Sequence, residues 1–126
     1  MNAAERLLAA SRAHDVDAAA SELAADVVML NPATDDTVVG QEAVAAGLRA
    51  VEAACDEFRH THLLADAGTN DTPLFFGLVF EARVGEETLR GVDPLELNEH
   101  DRIRSFTVLA RPMAALMALG ARMSGR

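Results

Sequence analysis

Three side chains in this chain have types and surroundings that point toward chemistry. Asp93 stands inside TLRGVDPLEL (88–97), where Leu89, Val92, Leu95 and Leu97, with turn-prone residues on either side, predict a buried strand. A carboxylate there has two readings. In the structural one it accepts from backbone N–H groups or pairs with an arginine, fixing the sheet. In the functional one it lies in an apolar cavity, where desolvation disfavours the charged form and raises its pKa. A protonated Asp93 could then donate a hydrogen bond to a ligand carbonyl. His60 and His62 form an H-x-H on a predicted strand, which puts both on one face. Such spacing can chelate a metal, but no third ligand is identifiable, and no metal site or cofactor is expected.

The remaining candidates weaken on inspection. His14 falls in a predicted interhelical turn and His100 in the hairpin NEHD, so both read as exposed. Asp35 and Asp36, in NPATDDT, lack the ligand spacing of a calcium loop. The single cysteine, Cys55, excludes an intrachain disulfide and a cysteine-based metal site, and reads as a half-buried hydrophobe in an Ala-rich run. The chain has no tyrosine, so no phenol is available as an acid or oxyanion donor.

The elements that must position Asp93 follow from periodicity. Ala4, Leu7, Leu8 and Ser11 recur at helical spacing over residues 3–13. Asp15 is a fitting N-cap for a short helix, VDAAASEL, with Asp17 in its first turn. DVVML (26–30) reads as a strand and NPATDDT as a loop. A longer helix is predicted from Gln41 to Ala54, with Val44, Leu48, Val51 and Cys55 as its apolar stripe. The period then changes. FRHTHLLADAG, PLFFGLVFEARV, ETLRGVDPLEL and RIRSFTVLA read as four strands, joined through AGTND, GEE and NEHD. A last helix, PMAALMALGARM, begins near Pro112, with Met113, Leu116, Met117 and Gly120 on one side, read as core. This order predicts one α+β domain over 1–126, with helices on one face of a curved antiparallel sheet.

Bulk properties narrow the partners. With 126 residues and 50% apolar content, the chain supports one core. Its 20 acidic against 11 basic residues give a formal charge of −9, which repels phosphate backbones and anionic membrane. No run reaches the ~18 apolar residues of a membrane span. The N-terminal MNAAERLLAASRAHD lacks a signal-peptide layout, and a cytoplasmic location is expected.

Three segments carry a resemblance: RLLAASRAHDVDAAASELAADVVMLNP, VVGQEAVAAGL and GVDPLELNEHDRIRSFTVLARP. In order and spacing they resemble the nuclear transport factor 2-like superfamily, which includes ketosteroid isomerases, limonene-epoxide hydrolases and SnoaL-like polyketide cyclases. The resemblance covers nearly the whole chain. It implies a cone-shaped fold, with the sheet wrapped around the N-terminal helices and an internal cavity. By that comparison Asp93 and Leu95 face inward, with Phe76, Leu78 and Phe80 from the preceding strand and Phe106 and Val108 from the last. Leu7, Val44, Gly47 and Leu48 are the helical contributors, Gly47 leaving room where a larger residue would fill it. Asn31 is the second polar residue.

The resemblance also tests the chemistry. In the isomerases a base, a tyrosine and a protonated acid act together. Here the position like the base is Asn31, an amide, and the position like the tyrosine is Leu7; only Asp93 matches. The charged Asp–Arg–Asp set of the epoxide hydrolases is missing too, since Arg90 and Asp93 point to opposite faces. The late strand RIRSFTVL offers only Ser105 and Thr107 where a cyclase would place an acid–base group. The expectation is a pocket protein for a small apolar ligand, anchored by Asp93 and Asn31. The alternative is a small isomerase, cyclase or hydrolase acting on a carbonyl or epoxide compound through Asp93, with a base still to be found. A homodimer is expected, with Phe75, Val79, Val92 and Leu109 on the convex sheet face available for that role or for packing under the last helix.

Overall fold

A computed structural model describes residues 1–68 and 74–125. The connection expected at AGTND falls mostly outside them. Two short helices come first, α1 (Ala3–Arg12) and α2 (Val16–Ala20). Asn2 caps α1 in a reciprocal box with Glu5, and the Asp15 side chain accepts from the Ala18 N–H. Strand β1 (Leu23–Leu30) and a short β2 (Thr37–Val39) precede α3 (Gln41–Ala54). Gly40 opens α3 at φ +102, a conformation that a side chain disfavours. Then come β3 (Glu57–Ala65), β4 (Phe75–Val84), β5 (Glu87–Leu97), β6 (Ile103–Thr107), β7 (Leu109–Arg111) and α4 (Met113–Met123).

The fold is α+β. Its seven strands form one curved sheet in the order β2-β1-β6-β5-β4-β3, with β7 pairing to β5. The sheet is antiparallel, as expected, apart from one pair, β1 with β6, which run parallel. The run read as one last strand is two. Its break is at Val108, whose N–H turns to the Leu30 carbonyl at 3.1 Å. This break lets β5 take two partners, β7 along Arg90–Val92 and β6 along Leu95–Leu97. Strand β2 lies just past NPATDDT, where a three-residue pairing leaves too little pattern to read.

Helices α1, α2 and α3 lie in the concavity. Ala3, Ala4 and Leu7 of α1 and Val44 of α3 pack with Val27, Leu78, Leu95, Ile103 and Phe106 of the sheet in the main core. A second cluster joins Ala115 and Leu119 of α4 to Phe80, Ala82, Val84 and Leu89. The face of α4 is therefore corrected. Ala115, Leu116 and Leu119 turn inward, whereas Met113 and Met117 are about two-thirds exposed, at 69% and 67%. Nor does α4 cover the convex face of the sheet, where Phe75 and Leu109 are half exposed.

One ion network fastens α1 to the sheet where the neighbouring strands β1 and β6 begin. Arg6 donates through Nε to Glu22 at 2.7 Å and through Nη2 to Asp101 at 2.7 Å. Asp101 also accepts from the Ala3 N–H at 2.8 Å. The start of α1, the approach to β1 and the β5–β6 hairpin are thus tied by one guanidinium. Among the described residues, no helix is long and apolar enough to cross a membrane.

Candidate functional site

A cavity of about 500 Å³ opens between the helices and the concave face of the sheet, a size ordinary for small-molecule sites. Most side chains lining it are apolar. Leu7, Gly47, Leu48, Leu78, Phe80, Phe106 and Val108 line it as expected from the sequence, together with Asp93 and Asn31. Val44, Phe76 and Leu95 do not. They are buried in the main core behind the wall, and serve it as packing. Leu116 and Leu119 close the side toward α4.

Asp93 is buried, 4% exposed. Its strand alternates inward through Leu89, Asp93, Leu95 and Leu97, and Asp93 lies opposite Leu78 on β4. Gly91, two residues earlier, lies opposite Phe80. A Cβ at Gly91 would come within 2.6 Å of the Phe80 ring and 2.1 Å of the Leu109 carbonyl. Glycine there lets the Phe80 ring lie flat on the sheet and lets β7 approach. The paired-arginine reading of Asp93 finds no support: Arg90 reaches Glu81 on the outer face instead.

The neighbour of Asp93 is His60. Its Nε2 lies 3.8 Å from Asp93 Oδ2, with both side chains almost fully buried, at 7% and 6% exposure. That separation is too long for a hydrogen bond. The other ring nitrogen, Nδ1, is 2.8 Å from the Ser11 hydroxyl on α1. Phe58 meets the imidazole edge to face at 5.2 Å and is itself backed by stacking on Phe80 at 5.3 Å, so the ring is held by Ser11 and by Phe58. Two polar atoms, His60 Nε2 and Asp93 Oδ1, are buried with no hydrogen-bond partner among the described residues. Burial pushes the Asp93 carboxyl above its ordinary range, and the nearby His60 pulls less strongly the other way.

The two histidines do not share a face, which corrects the H-x-H reading. His60 pairs with Phe80 and His62 with Val79, the next residue along β4, so Thr61 is an extra residue bulged out of the ladder. Phe58, His60 and Leu63 therefore point inward, while His62 is exposed. No three His, Cys, Asp or Glu side chains among the described residues converge on a metal-sized site.

The mouth is polar. Asn31 is exposed there, and its side-chain oxygen accepts from the Ala33 N–H at 2.8 Å, holding the loop in a tight turn. His14, at φ +55 between α1 and α2, contacts Glu52 of α3 at 2.9 Å across the rim. Of the polar wall residues, sequence reasoning found Asp93 and missed His60 and Ser11. Both were visible as residues, but the bulge hid the direction of His60, and nothing local links Ser11 to a strand 49 residues away.

A curved sheet closed by N-terminal helices over an apolar, acid-bearing cavity defines a class of cone-shaped pocket proteins, and the comparisons agree. A family model described as the SnoaL-like domain matches residues 4–106. A steroid delta-isomerase from Pseudomonas aeruginosa is 30% identical, with a TM-score of 0.85 over 98% of this chain and 90% of that one. An uncharacterised bacterial protein with a cystatin-like fold from Silicibacter pomeroyi is 31% identical, also at a TM-score of 0.85, over 98% of this chain and 84% of that one. At 19% identity, sharing the fold, is a Mycobacterium tuberculosis protein solved in complex with estradiol-17beta-hemisuccinate, with a TM-score of 0.66 over 90% of this chain and 93% of that one. A comparison with curated proteins finds no match. The chain belongs to the SnoaL-like domain family, and has the nuclear transport factor 2-like fold.

Proposed function

We propose that this chain binds a small apolar molecule carrying a carbonyl or ring oxygen, and that the Asp93 carboxyl anchors that oxygen from the cavity wall. The observation that carries this is Asp93 Oδ1, buried against an apolar cavity with no hydrogen-bond partner among the described residues. A buried polar atom without a partner costs about 1–3 kcal/mol, so a ligand oxygen that pairs with it recovers free energy. A protonated carboxyl would donate to a carbonyl, and the raised pKa of Asp93 favours that form. Asn31, at the mouth, supplies a second polar contact through its amide nitrogen. The printed name of the isomerase relative and the steroid ester in the mycobacterial complex support ring-bearing, oxygenated ligands as the first class to try.

The protein is further proposed to act in the cytoplasm as a homodimer, on the strength of its apolar outer sheet face. The alternative reading, turnover of a carbonyl or epoxide compound through Asp93, gains from one observation: a buried imidazole lies beside that carboxyl.

A thermal-shift screen against apolar ketones, steroids, terpenoids and fatty acids tests the binding reading. A ligand at about 100 times its dissociation constant adds about 2.7 kcal/mol of stability. The expected result is a shift in the wild type that shrinks in Asp93→Leu. An equal shift in both proteins removes Asp93 from the site.

A further inference from the structure

We propose that His60 is a catalytic base, and that with Asp93 it moves a proton between the oxygen and the adjacent carbon of a bound ketone. This rests on the binding reading above and goes beyond it, because a binding pocket needs no base. In the sequence the base position resembling that of the isomerases is Asn31, whose amide takes no proton. In the fold that residue stands at the mouth with its oxygen engaged by Ala33. The group able to accept a proton lies elsewhere, on β3.

Three features make His60 suitable. Its Nε2 is buried at the cavity wall without a partner among the described residues. The opposite nitrogen is held by the Ser11 hydroxyl at 2.8 Å. When that hydroxyl accepts from Nδ1–H, Nε2 carries the lone pair of the neutral ring, without a hydrogen-bond partner among the described residues. Ser11 is thus a positioning residue. Finally, the ring is fixed edge-on by Phe58, so its direction does not have to be organised during reaction.

The separation of the pair selects the reaction. With Nε2 only 3.8 Å from Asp93 Oδ2, base and acid are too close to serve distant atoms of a ring system. They suit an oxygen and a C–H one carbon removed from it. The step balances without a cofactor. His60 Nε2 takes the proton from the carbon next to the carbonyl, and the C–H electron pair becomes the C=C bond of the enol. The carbonyl π pair moves to oxygen, which receives the Asp93 carboxyl proton. Imidazolium and carboxylate then stand side by side in an apolar wall, each neutralising the other. Reversal returns a proton to carbon. In D2O the returning particle is a deuteron.

The test uses the full chain and 2-tetralone, an apolar bicyclic ketone with exchangeable protons beside its carbonyl. Proton NMR in D2O follows their replacement, and thermal shift follows binding of the same ketone. The wild type should accelerate exchange above buffer, with His60→Gln lowering the rate about 100-fold or more, in keeping with the usual worth of a general base, while still binding. Ser11→Ala should lower kcat with KM retained, and Ser11→Thr, which keeps the hydroxyl, should restore it. His62→Gln, on the opposite face of the same strand, should leave the rate unchanged. Should His60→Gln fail to fold, the wild type still decides. Binding of 2-tetralone with no exchange above buffer overturns the proposal and leaves the binding reading standing, and so does equal exchange in wild type and His60→Gln. Absence of both binding and exchange removes the ketone site together with its base.

Discussion

Single side chains here pull stability in opposite directions with pH. Burial raises the Asp93 carboxyl, so the native state keeps a proton that the unfolded chain releases once pH passes the ordinary carboxylate range. Its contribution is complete below about pH 4 and is lost as pH rises through the raised value. Asp93→Asn keeps the shape and removes the charge. Thermal melts should show Asp93→Asn above wild type at pH 7, with the difference closing below about pH 4. A wild type that is the more stable of the two at pH 7 would mean that the carboxylate is well satisfied and that no ligand oxygen is needed. Asp101 behaves the other way. Burial works against its charge, but the hydrogen bonds from Arg6 and the Ala3 N–H outweigh it, so its value is depressed. Stability from that carboxylate is present above about pH 4 and lost as pH falls through the depressed value. Asp101→Asn should therefore lower the melting temperature at pH 7 and flatten the acid limb, as a pH series of melts would reveal.

At the scale of elements, the site depends on two irregularities in regular strands. Gly91 is the first. In Gly91→Ala the new methyl meets a backbone carbonyl at 2.1 Å, which cannot rotate away as a side chain could. Either β7 leaves β5 or the Phe80 ring lifts into the cavity. A loss of about 1–3 kcal/mol is expected, measured as a lower urea midpoint; unchanged stability would show that β7 is not held at this point. The second irregularity is Thr61. Strict alternation along EFRHTHLL puts His60 and His62 together, and that reading was wrong because alternation assumes one residue per rung. A bulge is set by the bend of the sheet, a property of strands far apart in sequence, so FRHTHLL alone does not announce it. By contrast α3 was legible from Gln41 to Ala54, since its cap glycine, acidic first turn and apolar stripe agree locally. The face of α4 was not, because Ala, Leu and Met fill it almost without polar contrast, leaving the period ambiguous. Asp93 was legible because one charge in an apolar run is conspicuous. Its partner was not, because β3 and β5 meet only across β4.

Over the whole molecule, the sheet has one side committed to the cavity and one side open. Leu64, Phe75 and Leu109 are each about half exposed on the open side, at 54%, 53% and 52%, with Val79 and Val92 between them. Among the described residues no helix covers them, since α4 packs toward Phe80 and Leu89 on the cavity side. A formal charge of −9 opposes close approach of two copies at low salt, while the patch residues themselves are apolar. Association through it should therefore strengthen with salt, the reverse of a contact built on ion pairs. Sedimentation velocity should give a dimer whose dissociation constant falls as salt rises, and Phe75→Glu combined with Leu109→Glu should give a folded monomer. Because the cavity opens on the other side of the sheet, that monomer should keep its ligand affinity. A monomeric wild type at every salt concentration would leave the outer face unexplained by self-association. A double variant that loses ligand affinity along with the dimer would show that the two faces of the sheet are coupled through β4 and β5.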